Sequence, residues 1–202
     1  LPGLFRASRA DFSRQPVRLL QALPERAAHY RNRLDALGPG LKVAFSWQSR
    51  REDRVGPRKS APLAQFAPLL GLSGVQFVDV QYGDTTAERR AMEAATGVRL
   101  AHFDEVDYFH ELEELLAIMA GCDLLITTSN VNAHLAGALG KRTWILYPAD
   151  HPPFHYWAHD GSRRCLWYPA LEIVSSPQLT NWTLLIEHAA ARLERSLAAG
   201  TR

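Results

Sequence analysis

Short apolar runs alternate with stretches of helical periodicity along most of this chain, the pattern that a mostly parallel, helix-covered sheet leaves in a sequence. Leu23, Ala27, Tyr30, Leu34 and Leu37 recur at three- and four-residue steps, which predicts an amphipathic helix from Pro24 to Leu37 with proline in its first turn. Gly38 to Gly40 end it. A first strand follows at Leu41 to Trp47, then a polar stretch from Gln48 to Ser60, a short helix near Leu63 to Leu70 and a β-branched run at Val75 to Val80. Thr85 and Glu88 have the spacing of a capping box and open a helix that ends near Gly97, with a third strand expected at Val98 to Phe103. A helix over Phe109 to Ala120 places Leu112, Leu115, Leu116 and Met119 on one face. Asp123 to Thr128 reads as a buried strand, Asn132 to Leu139 as a short helix closed by Gly140, and Thr143 to Tyr147 as another strand. Beyond Pro148 the pattern turns irregular up to Pro169. A last strand at Leu171 to Val174 and a helix over Asn181 to Leu197 complete the chain, the helix turning Trp182, Leu185, Ile186, Ala189, Leu193 and Leu197 inward.

Length narrows this pattern to one core, because 202 residues suit one compact α/β domain better than two. The composition, 47% hydrophobic and 22% charged, is that of an ordinary globular protein and excludes a disordered or fibrous one. A net charge of +2 with Lys and Arg spread along the chain gives no general field for a polyanion, so no nucleic-acid partner is expected. Cys122 and Cys165 are the only cysteines; they build no disulfide framework, match no metal-ligand spacing and read as buried thiols. No run approaches the roughly 20 apolar residues of a membrane span and no leader pattern opens the chain, so a cytoplasmic protein or domain without a bound metal is expected.

Candidate chemistry enters at the loop Thr127 to Leu135, TTSNVNAHL, since ligands of open parallel sheets sit beyond the carboxyl ends of strands. A helix start there exposes N–H groups and the positive end of its dipole, and small Ala133 and Ala136 let a ligand approach the backbone. Ser129, Asn130 and Asn132 add neutral polar groups and His134 a donor for an anion. The same residues also fit a plain structural role, with Asn132 capping the helix and His134 satisfied by its neighbours.

The segment SNVNAHLAGALGKRTWILYP, from Ser129 to Pro148, resembles the corresponding stretch of GT-B glycosyltransferases similar to family nine, the heptosyltransferase-like group, and especially the version fused to tetratricopeptide repeats. KVAFSWQS, RKSAPL, FVDVQYGD and LWYPALEI follow that group's order, so the resemblance spans roughly Leu41 to Leu197. It implies a single Rossmann-like open, mostly parallel sheet with helices on both faces, the C-terminal half of a GT-B fold. It also implies a nucleotide-sugar donor, with Ser129, Asn130, Asn132, Ala133 and His134 around the diphosphate. Heptosyltransferases usually have an acidic residue, a hydroxyl residue and glycine where this chain has Ser129, Asn130 and Val131, so their donor preference does not carry across.

The resemblance gives the polar stretch after the first strand a role too. Ser46, Gln48, Arg50, Arg51, Arg54, Arg58 and Lys59 gather there; Arg58 and Lys59 lie in the matching RKS segment and would neutralise the diphosphate. Gln81 and Tyr82, closing a strand, and Asp107 and Tyr108, after Asp104 and Glu105, are the implied nucleoside contacts; packing for Tyr82 and a helix N-cap for Asp107 are the competing roles. Phe154, His155, Tyr156, Trp157, Trp167 and Tyr168 read as core or as a cleft wall. A GT-B enzyme works between two such domains. Residues 1–40 read as an interdomain segment plus amphipathic helix ahead of a nucleotide-sugar-binding domain over 41–202. The expectation is therefore a donor-binding fragment, inactive alone, whose acceptor and catalytic base belong to an N-terminal half. A degenerate GT-B-like scaffold is the alternative, and a dinucleotide-binding Rossmann enzyme is disfavoured because no G-x-G-x-x-G follows the first strand.

Overall fold

The computed structural model describes residues 5–49, 59–148, 154–159, 161–175 and 182–200. Its elements in chain order are α1 (Pro24–Asp35), β1 (Leu41–Ser46), α2 (Ala67–Leu70, continuing a 3-10 turn at Leu63–Phe66), β2 (Val75–Asp79), α3 (Thr86–Thr96), α4 (Leu112–Gly121), β3 (Leu124–Thr127), α5 (Val131–Ala138), β4 (Thr143–Leu146), β5 (Leu171–Val174) and α6 (Trp182–Ala198). The five strands form one sheet in the order β2-β1-β3-β4-β5, and every pairing is parallel. This is a Rossmann-like α/β fold.

Both faces are covered, as a parallel sheet requires. Alternation along β1 sends Val43 and Phe45 to one face, where α2, α3 and α6 pack through Leu69, Met92, Leu185, Ile186 and Leu193. Ala44, Val78 and Leu125 face the other side, under α1 and α4, whose Tyr30, Leu34, Leu115 and Met119 are buried there. Helix α1 lies directly on α4, so residues 24–35 belong to the same packed unit as the sheet. A third cluster surrounds Trp157, with Ala133, Ile145, Tyr147, Cys165 and Ile173.

The expected third strand reduces to one bridge, Val78 with Ala101. Only Ala101 exchanges backbone bonds with β2, while the Phe103 N–H donates to the Tyr108 hydroxyl at 3.1 Å, so the segment leaves the sheet edge after a single rung. The capping box fails as well. Thr85 precedes α3, but its hydroxyl donates to Asp79 Oδ2 at 2.6 Å, and Glu88 accepts from Trp47 Nε1 and Gln48 Nε2. Each side chain is occupied by a stronger partner in the fold. Gly97 closes α3 with φ +72°, the left-handed position that glycine takes without strain. Helix α5 starts one residue earlier than the sequence pattern gives, and its cap is Asn130, not Asn132.

Candidate functional site

Register sets the floor of the site. Ser46 is level with Thr127 and Phe45 with Asp79, so the loops after β1, β2 and β3 leave one edge of the sheet side by side. Ser46 Oγ and Thr127 Oγ1 are 2.6 Å apart, and both residues are buried.

Asn130 joins these loops. Its Oδ1 accepts from the N–H groups of Asn132 at 3.0 Å and Ala133 at 3.4 Å, the two donors an N-cap satisfies. Its Nδ2 donates to Ser46 Oγ and to the Gln48 carbonyl, both at 3.1 Å. Gln81 Oε1 accepts from the backbone N–H groups of Trp47 and Gln48 at 3.0 and 2.9 Å, which fixes the first residues of the β1 loop from the β2 side. Beneath it, fully buried Asp79 accepts from the Gln81 N–H and from Thr85, and Arg89 Nε lies 3.3 Å from its carboxylate. Asn132 is buried and donates to the Val80 carbonyl at 2.7 Å. Its Oδ1 and the neighbouring Thr128 hydroxyl have no hydrogen-bond partner among the described residues.

His134, on the first turn of α5, stacks on the Trp157 indole with ring centres 4.5 Å apart, and its Nδ1 is 3.2 Å from the Tyr168 hydroxyl. Burial, reinforced by the Lys59 charge, holds its pKa below the ordinary 6.5, so the ring is neutral near pH 7. Lys59 is itself only 5% exposed, with Nζ 4.0 Å from the centre of the Phe154 ring, a cation–π arrangement. Trp157 Nε1 donates to Ser129 Oγ at 2.9 Å, which anchors the loop from the aromatic cluster.

Of the residues singled out in the sequence, Ser46, Gln48, Gln81, Ser129, Asn130, Asn132, Ala133 and His134 fall in this one neighbourhood, with Lys59 facing His134. Ser129, Asn130 and Asn132 are buried; Ser129 and Asn130 have their side chains engaged inside the protein, and Asn132 engages through its Nδ2. Tyr82 is buried at the edge of the α4 side, its ring 6.3 Å from Phe109. Asp107 is exposed; it accepts from the N–H groups of Phe109 and His110 and pairs with the His110 ring at 2.7 Å, and that pairing holds its pKa below the usual carboxylate range. Tyr108 is buried in the core, where burial raises its phenol pKa and its hydroxyl accepts from the Phe103 N–H. Arg50, Arg51, Arg54 and Arg58 lie outside the described residues. Sequence reasoning did not foresee the partners of Thr127, Glu88 and Trp157, which are Ser46, Trp47 and Ser129; partners 28 to 81 residues apart carry no local spacing signal.

Comparison with known proteins fits this geometry. No protein-family profile matches the chain. It is 32% identical over 180 residues to the protein FlbA of Caulobacter vibrioides, covering 89% of this chain and 29% of FlbA. Among solved structures it resembles the ADP-heptose LPS heptosyltransferase II of E. coli, with TM-score 0.56 and 17% identity over 88% of this chain and 54% of the other. A glycosyl transferase of family 9 from Veillonella parvula gives TM-score 0.61 and 15% identity over 90% and 54%. E. coli heptosyltransferase WaaC, solved with ADP-2-deoxy-2-fluoro heptose, gives 0.50 and 15% over 85% and 47%. At these identities the likeness is one of fold. The chain has a fold like that of family 9 glycosyltransferases, and it spans about half the length of those structures and 29% of FlbA.

Proposed function

We propose that this chain is the donor-binding half of a glycosyltransferase and holds the diphosphate of a nucleotide sugar between the β1 loop and the start of α5. One observation carries the reading: the positive end of α5, the His134 ring and the buried Lys59 ammonium meet at the carboxyl edge of a parallel sheet. The fold it shares with three glycosyltransferase structures, one of them solved with a nucleotide sugar, supports the same reading. In this site Lys59 balances the phosphate charge as the nucleoside diphosphate departs. With Nδ1 accepting from the Tyr168 hydroxyl, the neutral His134 ring offers its Nε2–H as a hydrogen-bond donor to a phosphate oxygen. Side chains supply the cation, so the donor binds without a metal. Gln81 and Tyr82 border the nucleoside, and Asp107 lies further out on the same side. The acceptor and the catalytic base come from a second domain, and the chain alone does not turn over its donor.

Titration calorimetry with UDP, ADP, GDP and their sugar conjugates, in the presence of a chelator, tests this. Binding of at least one of them is expected, with affinity falling about tenfold in His134→Ala for the loss of one hydrogen bond to a charged group. Absence of heat with every nucleotide overturns it.

A non-catalytic scaffold is the second reading, favoured by the self-sufficiency of Asn130. All its polar capacity toward α5 and the β1 loop is spent inside the protein, which leaves the helix start already capped. That reading expects the nucleotide titrations to be silent while the fold stays intact.

A further inference from the structure

A charged cavity, of about 480 Å³, opens at the edge of the sheet opposite this site, at the amino ends of β4 and β5. Three arginines line it: Arg142 before β4, Arg164 before β5 and Arg192 from α6. Glu172 is the one carboxylate among the lining residues, and Arg192 already engages it at 2.6 Å. Arg142 makes a long 3.5 Å contact to Ser196 Oγ, and neither it nor Arg164 has a carboxylate partner among the described residues. Among the described residues, two of the three guanidinium charges at the cavity thus have no carboxylate partner.

The arginines are not loosely arranged. The guanidinium carbons of Arg192 and Arg142 lie 4.4 and 5.8 Å from the centre of the buried Trp144 ring, so one indole gathers both. Arg164 is delivered by a backbone exception. Arg163 is the one non-glycine residue among those described with positive φ, at 67°. That conformation is held at both ends: its carbonyl accepts from the Ile173 N–H and its guanidinium donates to the Ser175 carbonyl, each at 2.9 Å. A left-handed residue pinned by its neighbours, beside a charged cavity, marks a place where the fold maintains strain.

We infer that this arginine cavity is a binding site for a small oxyanion of the phosphate class, separate from the nucleotide site at the carboxyl edge. Guanidinium forks match the paired oxygens of such an anion, and among the lining residues three arginines stand against one carboxylate, a surplus that suits a phosphate dianion.

Two tryptophans make the test selective. The indole N–H of Trp157 reports on Ser129 at the carboxyl edge, and that of Trp144 reports on the arginines. In nitrogen-15 NMR of the whole chain, inorganic phosphate or pyrophosphate is expected to shift the Trp144 indole signal saturably. Arg142→Gln and Arg164→Gln should each weaken the effect about tenfold, as loss of one charge-assisted contact does, with the other indole signals left in place as the check on folding. His134→Ala should leave the Trp144 response unchanged. A response confined to Trp157, a Trp144 response indifferent to both arginine substitutions, or a Trp144 response to an acidic peptide but not to phosphate or pyrophosphate would each overturn the inference.

Discussion

Asn130 shows how much one amide can hold. It caps α5 with its oxygen and ties the β1 loop with its nitrogen, so Asn130→Ala should cost about 1–2 kcal/mol for the cap alone and more for the unpaired groups at Ser46 and Gln48. Urea denaturation checks this. Asn130→Asp keeps the cap but sets a carboxylate oxygen against the Gln48 carbonyl, so it should recover only part of the loss. His134 makes a pH prediction. Its folded pKa is below the unfolded 6.5, so the unfolded chain binds the proton more readily. The neutral ring's contribution is complete above pH 6.5 and is lost as pH falls from there through the lowered folded value; His134→Gln should flatten that part of a stability–pH profile. Lys59→Gln removes a neighbouring charge and should raise the His134 pKa in an NMR titration. The neighbourhood of His134 was legible in the sequence as a polar run after a buried strand. The role of each residue was not, because Asn130 and Asn132 are the same amide and only the fold says that one caps the helix and the other reaches Val80.

Elements were read most accurately where periodicity was long or a glycine stood at the end, as in α3 with Gly97, β5 and α6. The misread elements lost their signals to tertiary partners: Val98 to Phe103 is apolar enough for a strand, but Tyr108 takes the Phe103 N–H, and the Thr85/Glu88 box is drawn toward Asp79 and Trp47. Gly137 in α5 looks like a helix weakness, since alanine there is worth about 1 kcal/mol in propensity. A Cβ at this position would lie 2.6 Å from Tyr168 Cγ. Overpacking of that kind costs about 1–3 kcal/mol, so Gly137→Ala should be net destabilising in thermal unfolding and should also pull the Tyr168 hydroxyl away from His134.

At the scale of the whole molecule, the packing of α1 on α4 decides what can be removed. Leu34 is fully buried and Tyr30 nearly so, each worth about 1.5–3 kcal/mol on burial, which is a large share of an ordinary domain's stability. A chain beginning at Leu41 should therefore lose cooperative unfolding by calorimetry, although the sequence pattern alone suggests a boundary there. No described helix is long and apolar enough to cross a membrane. The same scale shows what Asn130 means for rates. Its nitrogen bonds join chain segments more than 80 residues apart, and its oxygen caps a helix at the same moment. Turning that amide away from the β1 loop also withdraws the cap from α5, so an opening made by rotation of Asn130 changes both at once. If entry between the loops uses that rotation, the association rate should follow the local exchange rate of the Asn132 and Ala133 amides and fall short of the diffusion limit; a rate independent of that exchange would show that the loops part with the cap in place.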